Sequence, residues 1–196
     1  MPKIVNFISY CLAFTLYGSI ITAMGPIIPF FSQITGEPEP YYSFIFFCRA
    51  FGYVFGGSVV KYLFERMRLH NILFLACLIG GICFLISSLS LNFLNLVITM
   101  FLGAACCCII NVTCNVCTMH IYKGEGQDYW IQLLHTIFGL GGLIGPFLVA
   151  VAGAKSYFVL GLLLALSSFL YIILEGPDNT PKARATEIAK PISTKV

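Results

Sequence analysis

Residues 93–119 read FLNLVITMFLGAACCCIINVTCNVCTM, a run without one Asp, Glu, Lys or Arg. At a helical rise of 1.5 Å per residue it extends about 40 Å, more than the roughly 30 Å hydrocarbon core of a bilayer. A helix apolar on all sides and this long belongs in lipid, because a surface helix of a water-soluble domain carries a polar face. Five further apolar runs follow the same reading, at 5–31, 41–63, 71–90, 130–153 and 157–174. Each is long enough to cross, and none alternates polar and apolar residues as a barrel strand does. The composition agrees: 59% hydrophobic and 10% charged residues stand far from the about 45–50% and 25% of soluble domains. The predicted fold is all-α and integral to the membrane, with six transmembrane helices. Residues 1–175 form the bundle. Residues 176–196 form a polar tail with Pro177, Pro181 and Pro191, too poor in apolar surface to fold alone and expected to be disordered.

Charge placement predicts orientation, because Lys and Arg in short loops are retained on the cytoplasmic side. With the N-terminus inside, Lys3, Lys61, Arg66, Arg68, Lys123, Lys182, Arg184, Lys190 and Lys195 fall inside and only Lys155 outside. That distribution predicts both termini on the cytoplasmic or matrix-like side. It accounts for the net charge of +3 without a nucleic-acid surface, so the lipid bilayer is the expected partner and nucleic acid is not. Lys3 precedes an apolar stretch as in a signal peptide, but no A-x-A-like site interrupts it, and it reads as a retained first span. All nine cysteines lie in apolar runs, which gives no disulfide framework.

Several residues stand out within the spans. Pro26 and Pro29 remove helix hydrogen bonds from the first span and Gly25 loosens its backbone, so it is expected to bend or break there, either lining a cavity or as a simple kink. Arg49 lies about 12 Å into the second span, counted from its start. An arginine near the bilayer centre costs about 2.5–3.5 kcal/mol or more unless it pairs, faces water or snorkels. It therefore marks a functional cavity or a snorkelling side chain, and no Asp or Glu lies in the core of any span to pair with it. In the fourth span Asn111, Asn115 and Thr118 share one helix face; in the fifth, Gln132, His135, Gly139 and Gly142 do. These two polar faces are expected to bind a small polar solute or to hold the bundle together by interhelical hydrogen bonds. Gly52/Gly56, Gly80/Gly81 and Gly103 with Cys107 read as close-packing faces. Cys114 and Cys117 have C-x-x-C spacing but no second pair, and Asn111-Val-Thr113 is a sequon only by pattern. No metal and no cofactor is expected. No G-x-S-x-G, H-E-x-x-H or P-loop sequence occurs, so no enzyme is predicted.

Three stretches carry a family resemblance. Gly25-Pro-Ile-Ile-Pro29, Arg49-Ala-Phe-Gly-Tyr-Val-Phe-Gly56 and Leu134-His-Thr-Ile-Phe-Gly-Leu-Gly-Gly-Leu-Ile-Gly-Pro146 resemble the first, second and fifth helices of major facilitator superfamily transporters. The branch most resembled contains sodium-dependent glucose transporter 1-like and fucose-permease-like proteins. After Gly57, the segment through Glu65, Arg66 and Arg68 keeps the acid and the bases of the family's loop between helices two and three, but not its spacing or its inner glycine. The resemblance implies a conformational latch at those residues and transport of a small polar solute, a sugar for example, by alternating access; Arg49, Asn111, Asn115, Gln132 and His135, singled out above from charge and spacing, are then expected at the solute. A complete transporter of the family has about twelve spans in two related halves. The chain therefore reads as one half, which pairs with a copy of itself or another half, belongs to a larger membrane complex as a non-transporting subunit, or is a fragment. Its tail would then correspond to the linker between halves.

Overall fold

The computed structural model describes residues 3–124 and 126–177. Of the expected polar tail only Gly176 and Pro177 fall within that range; the remainder, with Lys182, Arg184, Lys190 and Lys195, lies outside the described residues. Helix α1 is Lys3–Thr35, α2 Tyr42–Arg66, α3 Leu69–Leu89, α4 Phe93–Ile121, α5 Gln127–Ala152 and α6 Lys155–Ser168, continued by a last turn α7, Leu170–Ile173. A 3-10 turn at Glu39–Tyr41 leads into α2. Six of these stretches are long and apolar enough to cross a membrane, the last comprising Lys155–Ile173. The bundle is all-α, as the apolar runs predict.

The helix ends follow from local chemistry. Asn92 precedes α4 in an extended conformation and accepts a hydrogen bond from the Leu94 amide at 2.9 Å, capping the helix. Gly153 ends α5 at φ +56°, a conformation that costs glycine little. The chain can thus reverse into α6 two residues later.

The helices pack in pairs chosen by small residues. A Cβ at Gly52 would lie 2.2 Å from the Phe101 carbonyl oxygen, and one at Gly56 2.3 Å from that of Ala105; α2 and α4 therefore run parallel with backbones in contact. The same holds for α1 and α5, where an added Cβ would lie 2.2 Å from the Thr15 carbonyl oxygen at Gly141 and 2.2 Å from that of Ser19 at Gly145. On the opposite side Gly81 and Gly161 join the antiparallel α3 and α6. Lipid supplies no hydrophobic force between helices, so such backbone approach maximises the dispersion contacts that remain. Polar side chains add to it. Ser19 donates to the Gly141 carbonyl at 2.8 Å, Tyr157 to that of Ile20 at 3.0 Å and Tyr171 to that of Ser9 at 2.9 Å. These bonds make α1 the hub on which α5 and α6 hang.

One end of the bundle gathers Lys3, Lys61, Arg66, Arg68 and Lys123 with Glu65, Asp128 and Glu175, the contacts there running from Phe7 to Tyr122 and Trp130 and from Asn6 to the Glu175 carbonyl. We call it the basic end. Glu37, Glu39 and Lys155 mark the other, tied by Thr35 to Tyr42 at 2.6 Å and by Ser88 to the Ala154 carbonyl at 2.9 Å. Coverage is unequal. In α2 and α5, 22% of the most apolar window is buried, against 50–61% in the other four spans. α2 and α5 thus flank the bundle, each held mainly along one side.

The first span does not break. α1 remains helical from Lys3 to Thr35 with Pro26 and Pro29 inside it. Both prolines and Gly25 lie on the uncovered face, while Met24, Ile27 and Phe31 on the opposite face are 0–1% exposed. The prolines forfeit two amide donors, and the chain stays helical through them along its packed face.

Candidate functional site

The polar residues of α4 find their partners on α2. The Asn115 amide donates to the Asn111 side-chain oxygen at 3.1 Å and to its carbonyl at 2.9 Å, and the Asn111 amide donates to the Tyr53 hydroxyl at 2.7 Å. The Tyr53 and Tyr17 hydroxyls are 3.2 Å apart, which brings α1 into the same line. The parallel packing of α2 on α4 through Gly52 and Gly56 sets this register, because Tyr53 follows Gly52 directly and turns to the side of the contact.

Arg49 sits one turn from Tyr53 and is half-buried. It lines a groove of about 320 Å³ together with Ile21, Phe46, Ala50, Tyr53, Ala104 and Cys107. Apart from the guanidinium and the Tyr53 hydroxyl the walls are apolar. The groove is lined by residues of α1, α2 and α4.

Gln132 and His135 stand apart. Both are exposed on α5. The His135 ring meets the edge of Phe14 at 5.6 Å, and Phe14 in turn packs on Tyr17 and Phe138. Among the described residues no side-chain hydrogen bond joins them to Asn111 or Asn115. The two polar faces therefore share an aromatic partition on α1, Phe14 and Tyr17, instead of meeting directly. Thr118 leaves the polar line: it is buried, and its hydroxyl returns to the Cys114 carbonyl at 2.9 Å. Tyr53 and Tyr17, which complete the network, escaped the sequence reading because a tyrosine in an apolar run looks like packing. Their only signal was the need of Asn111 for a partner. Cys114 and Cys117 are fully buried and all nine cysteines are free thiols. Among the described residues no three His, Cys, Asp or Glu side chains are grouped to hold a metal ion.

With this geometry, the comparison with known proteins is decisive for the family: the Major Facilitator Superfamily model matches residues 7–195. The chain belongs to the major facilitator superfamily. A relative from Danio rerio, Major facilitator superfamily domain-containing protein 4B, is 32% identical over 143 residues, covering 71% of this chain and 26% of that protein. The chain thus matches about a quarter of the relative's length. No solved structure matches.

Within this facilitator bundle, Glu65, Arg66 and Arg68 are all exposed around the turn from α2 to α3 at the basic end. Arg68 also borders a second cavity of about 440 Å³ with His70, Asn71, Phe74, Tyr171 and Glu175. His70 seals the wall of that cavity. Its Nδ1 is 2.9 Å from the Leu174 carbonyl, which can only accept, so the neutral ring carries its proton there and takes the Tyr10 hydroxyl on Nε2 at 2.7 Å. The knot fastens α1, α3 and the end of the last span together.

Proposed function

We propose that this chain forms one six-helix unit of a facilitator-type transporter for a small polar solute of the sugar class. In this reading a second unit, a copy of this chain or another six-helix half, closes over the face formed by α1, α2, α4 and α5. The solute is held between the units and released by alternating access. The observation that carries it is the polar line Asn115–Asn111–Tyr53 beside Arg49, placed on the side of the bundle flanked by the least covered helices. Polar and charged side chains within spans ordinarily mark a solute path. Gln132 and His135 would approach the solute from α5. Glu65, Arg66 and Arg68 would serve as a latch at the basic end, and Gly25, Pro26 and Pro29 as a yielding point in α1. By the positive-inside rule the basic end is cytoplasmic. Residues 1–175 act as the bundle and 176–196 as a polar cytoplasmic segment. The resemblance to sodium-dependent glucose transporter 1-like and fucose-permease-like proteins supports a sugar.

Uptake of radiolabelled monosaccharides into proteoliposomes tests this reading. Saturable uptake that falls in Arg49→Ala and Asn111→Ala is expected. Stable co-purification in a large complex, with no uptake and wild-type behaviour of both variants, would replace it with a non-transporting assembly subunit.

A further inference from the structure

Arg49 is a charge inside a span, and among the described residues nothing of opposite sign is built beside it. The chain has eight carboxylates, at Glu37, Glu39, Glu65, Glu125, Asp128, Glu175, Asp178 and Glu187. Those among the described residues all sit at a helix end or in a connection. The groove around the guanidinium offers Ile21, Phe46, Ala50, Ala104 and Cys107, none of which neutralises it.

The neighbouring hydrogen bonds have a direction. Asn115 donates to Asn111 and Asn111 donates to the Tyr53 oxygen, so protons point along the line toward the phenols. Between the Tyr53 and Tyr17 oxygens, 3.2 Å apart, only one hydroxyl proton can be shared. When Tyr17 donates to Tyr53, the Tyr53 O–H is the one left over, beside the weak sulfur acceptor of Cys108. In that orientation the line ends in a donor that a stronger acceptor can claim, in the same groove as a permanent cation. A guanidinium fork with an adjacent hydroxyl donor is complementary to a carboxylate, which accepts two parallel N–H bonds and has acceptor capacity left for the phenol. The groove volume, about 320 Å³, is that of a small-molecule site.

Resting on the transporter reading above, we infer that the groove between α1, α2 and α4 takes the carboxylate of an anionic solute, a sugar acid in preference to a neutral sugar. Arg49 is its charge partner and Tyr53 the hydroxyl that positions it.

The test measures binding of D-glucuronate and D-glucose to the full chain, purified in mild detergent with whatever partner accompanies it. Wild type is expected to bind glucuronate about tenfold tighter than glucose, a preference of about 1.4 kcal/mol. In Arg49→Gln the ratio falls to about one. If that variant fails to assemble, Arg49→Lys carries the test: it keeps the charge, loses the fork, and should lower the ratio without abolishing it. Equal affinities in the wild type, or a glucuronate preference that survives Arg49→Gln, would overturn the inference. The first of these is also the result expected if a carboxylate from the second unit neutralises Arg49. Glucose uptake without a glucuronate preference removes the anion assignment and leaves the transporter reading standing. No binding or uptake of either sugar removes both.

Discussion

Replacing Gly52 with alanine adds one methyl group where the backbones of α2 and α4 touch. Its Cβ would lie 2.2 Å from the Phe101 carbonyl oxygen and 2.9 Å from the carbonyl carbon. A comfortable carbon–oxygen contact is over 3 Å, so α2 must move about 1 Å away from α4. The collision is with backbone, which cannot rotate aside. Overpacking of this kind costs about 1–3 kcal/mol. The same displacement stretches the Asn111–Tyr53 bond from 2.7 Å beyond hydrogen-bonding range and loses about 0.6 kcal/mol more. Scaled as for a soluble domain of this size, the sum lowers the melting temperature by roughly 3–14 °C, to be read by thermal unfolding in a fixed detergent. Gly57→Ala is the matched control five residues along the same helix. Its Cβ meets only the Cys108 Sγ, at 3.6 Å, and the substitution should be neutral or stabilise by about 0.4–1 kcal/mol. Equal melting of Gly52→Ala and wild type, or an equal loss in Gly57→Ala, would refute the assignment of the α2–α4 contact.

Tyr53→Phe removes the acceptor of Asn111 and the partner of Tyr17. A double-mutant cycle with Asn111→Ala should return a coupling of about 0.6–1.7 kcal/mol, and a zero value would dissolve the network. His70→Phe keeps an aromatic ring, a somewhat larger one, but leaves the Tyr10 hydroxyl and the Leu174 carbonyl without their partner, costing about 1–3 kcal/mol by thermal unfolding. Tyr10→Phe should cost less, since only one bond is lost. Cysteines placed at Lys123 and Lys155, in a background lacking the partly accessible Cys11 and Cys48, should react with impermeant reagent from opposite sides of the membrane. Labelling from one side alone would overturn the placement of the two helix ends.

The spans were readable because a bilayer demands long uncharged runs that satisfy their own backbone. The run at 93–119 lies wholly within α4, and the run at 5–31 within α1. Their pairing was only half readable. Gly52 and Gly56 announce a close contact, but nothing in α2 says that its partner is Phe101 and Ala105 of α4. Pro26 and Pro29 do not interrupt α1 for a physical reason: proline chemistry is local, while the packing of Met24, Ile27 and Phe31 that keeps the span helical is tertiary. Asn111 and Asn115 could be placed on one face from their spacing. That Tyr53 and not Gln132 or His135 answers them depends on α1 standing between α4 and α5, which helical periodicity does not encode.

In the proposed transporter the face carrying Arg49 and Asn111 opens to a water-filled solute path. Ala50 is small, exposed, and lines the groove beside Arg49; Leu163 is 46% exposed on α6, away from that groove. In a Cys11→Ser, Cys48→Ser background reconstituted in liposomes, Ala50→Cys should react rapidly with a charged methanethiosulfonate, and Leu163→Cys should not. Ala50→Cys as inert as Leu163→Cys, with Leu163→Cys in lipid, would contradict the account.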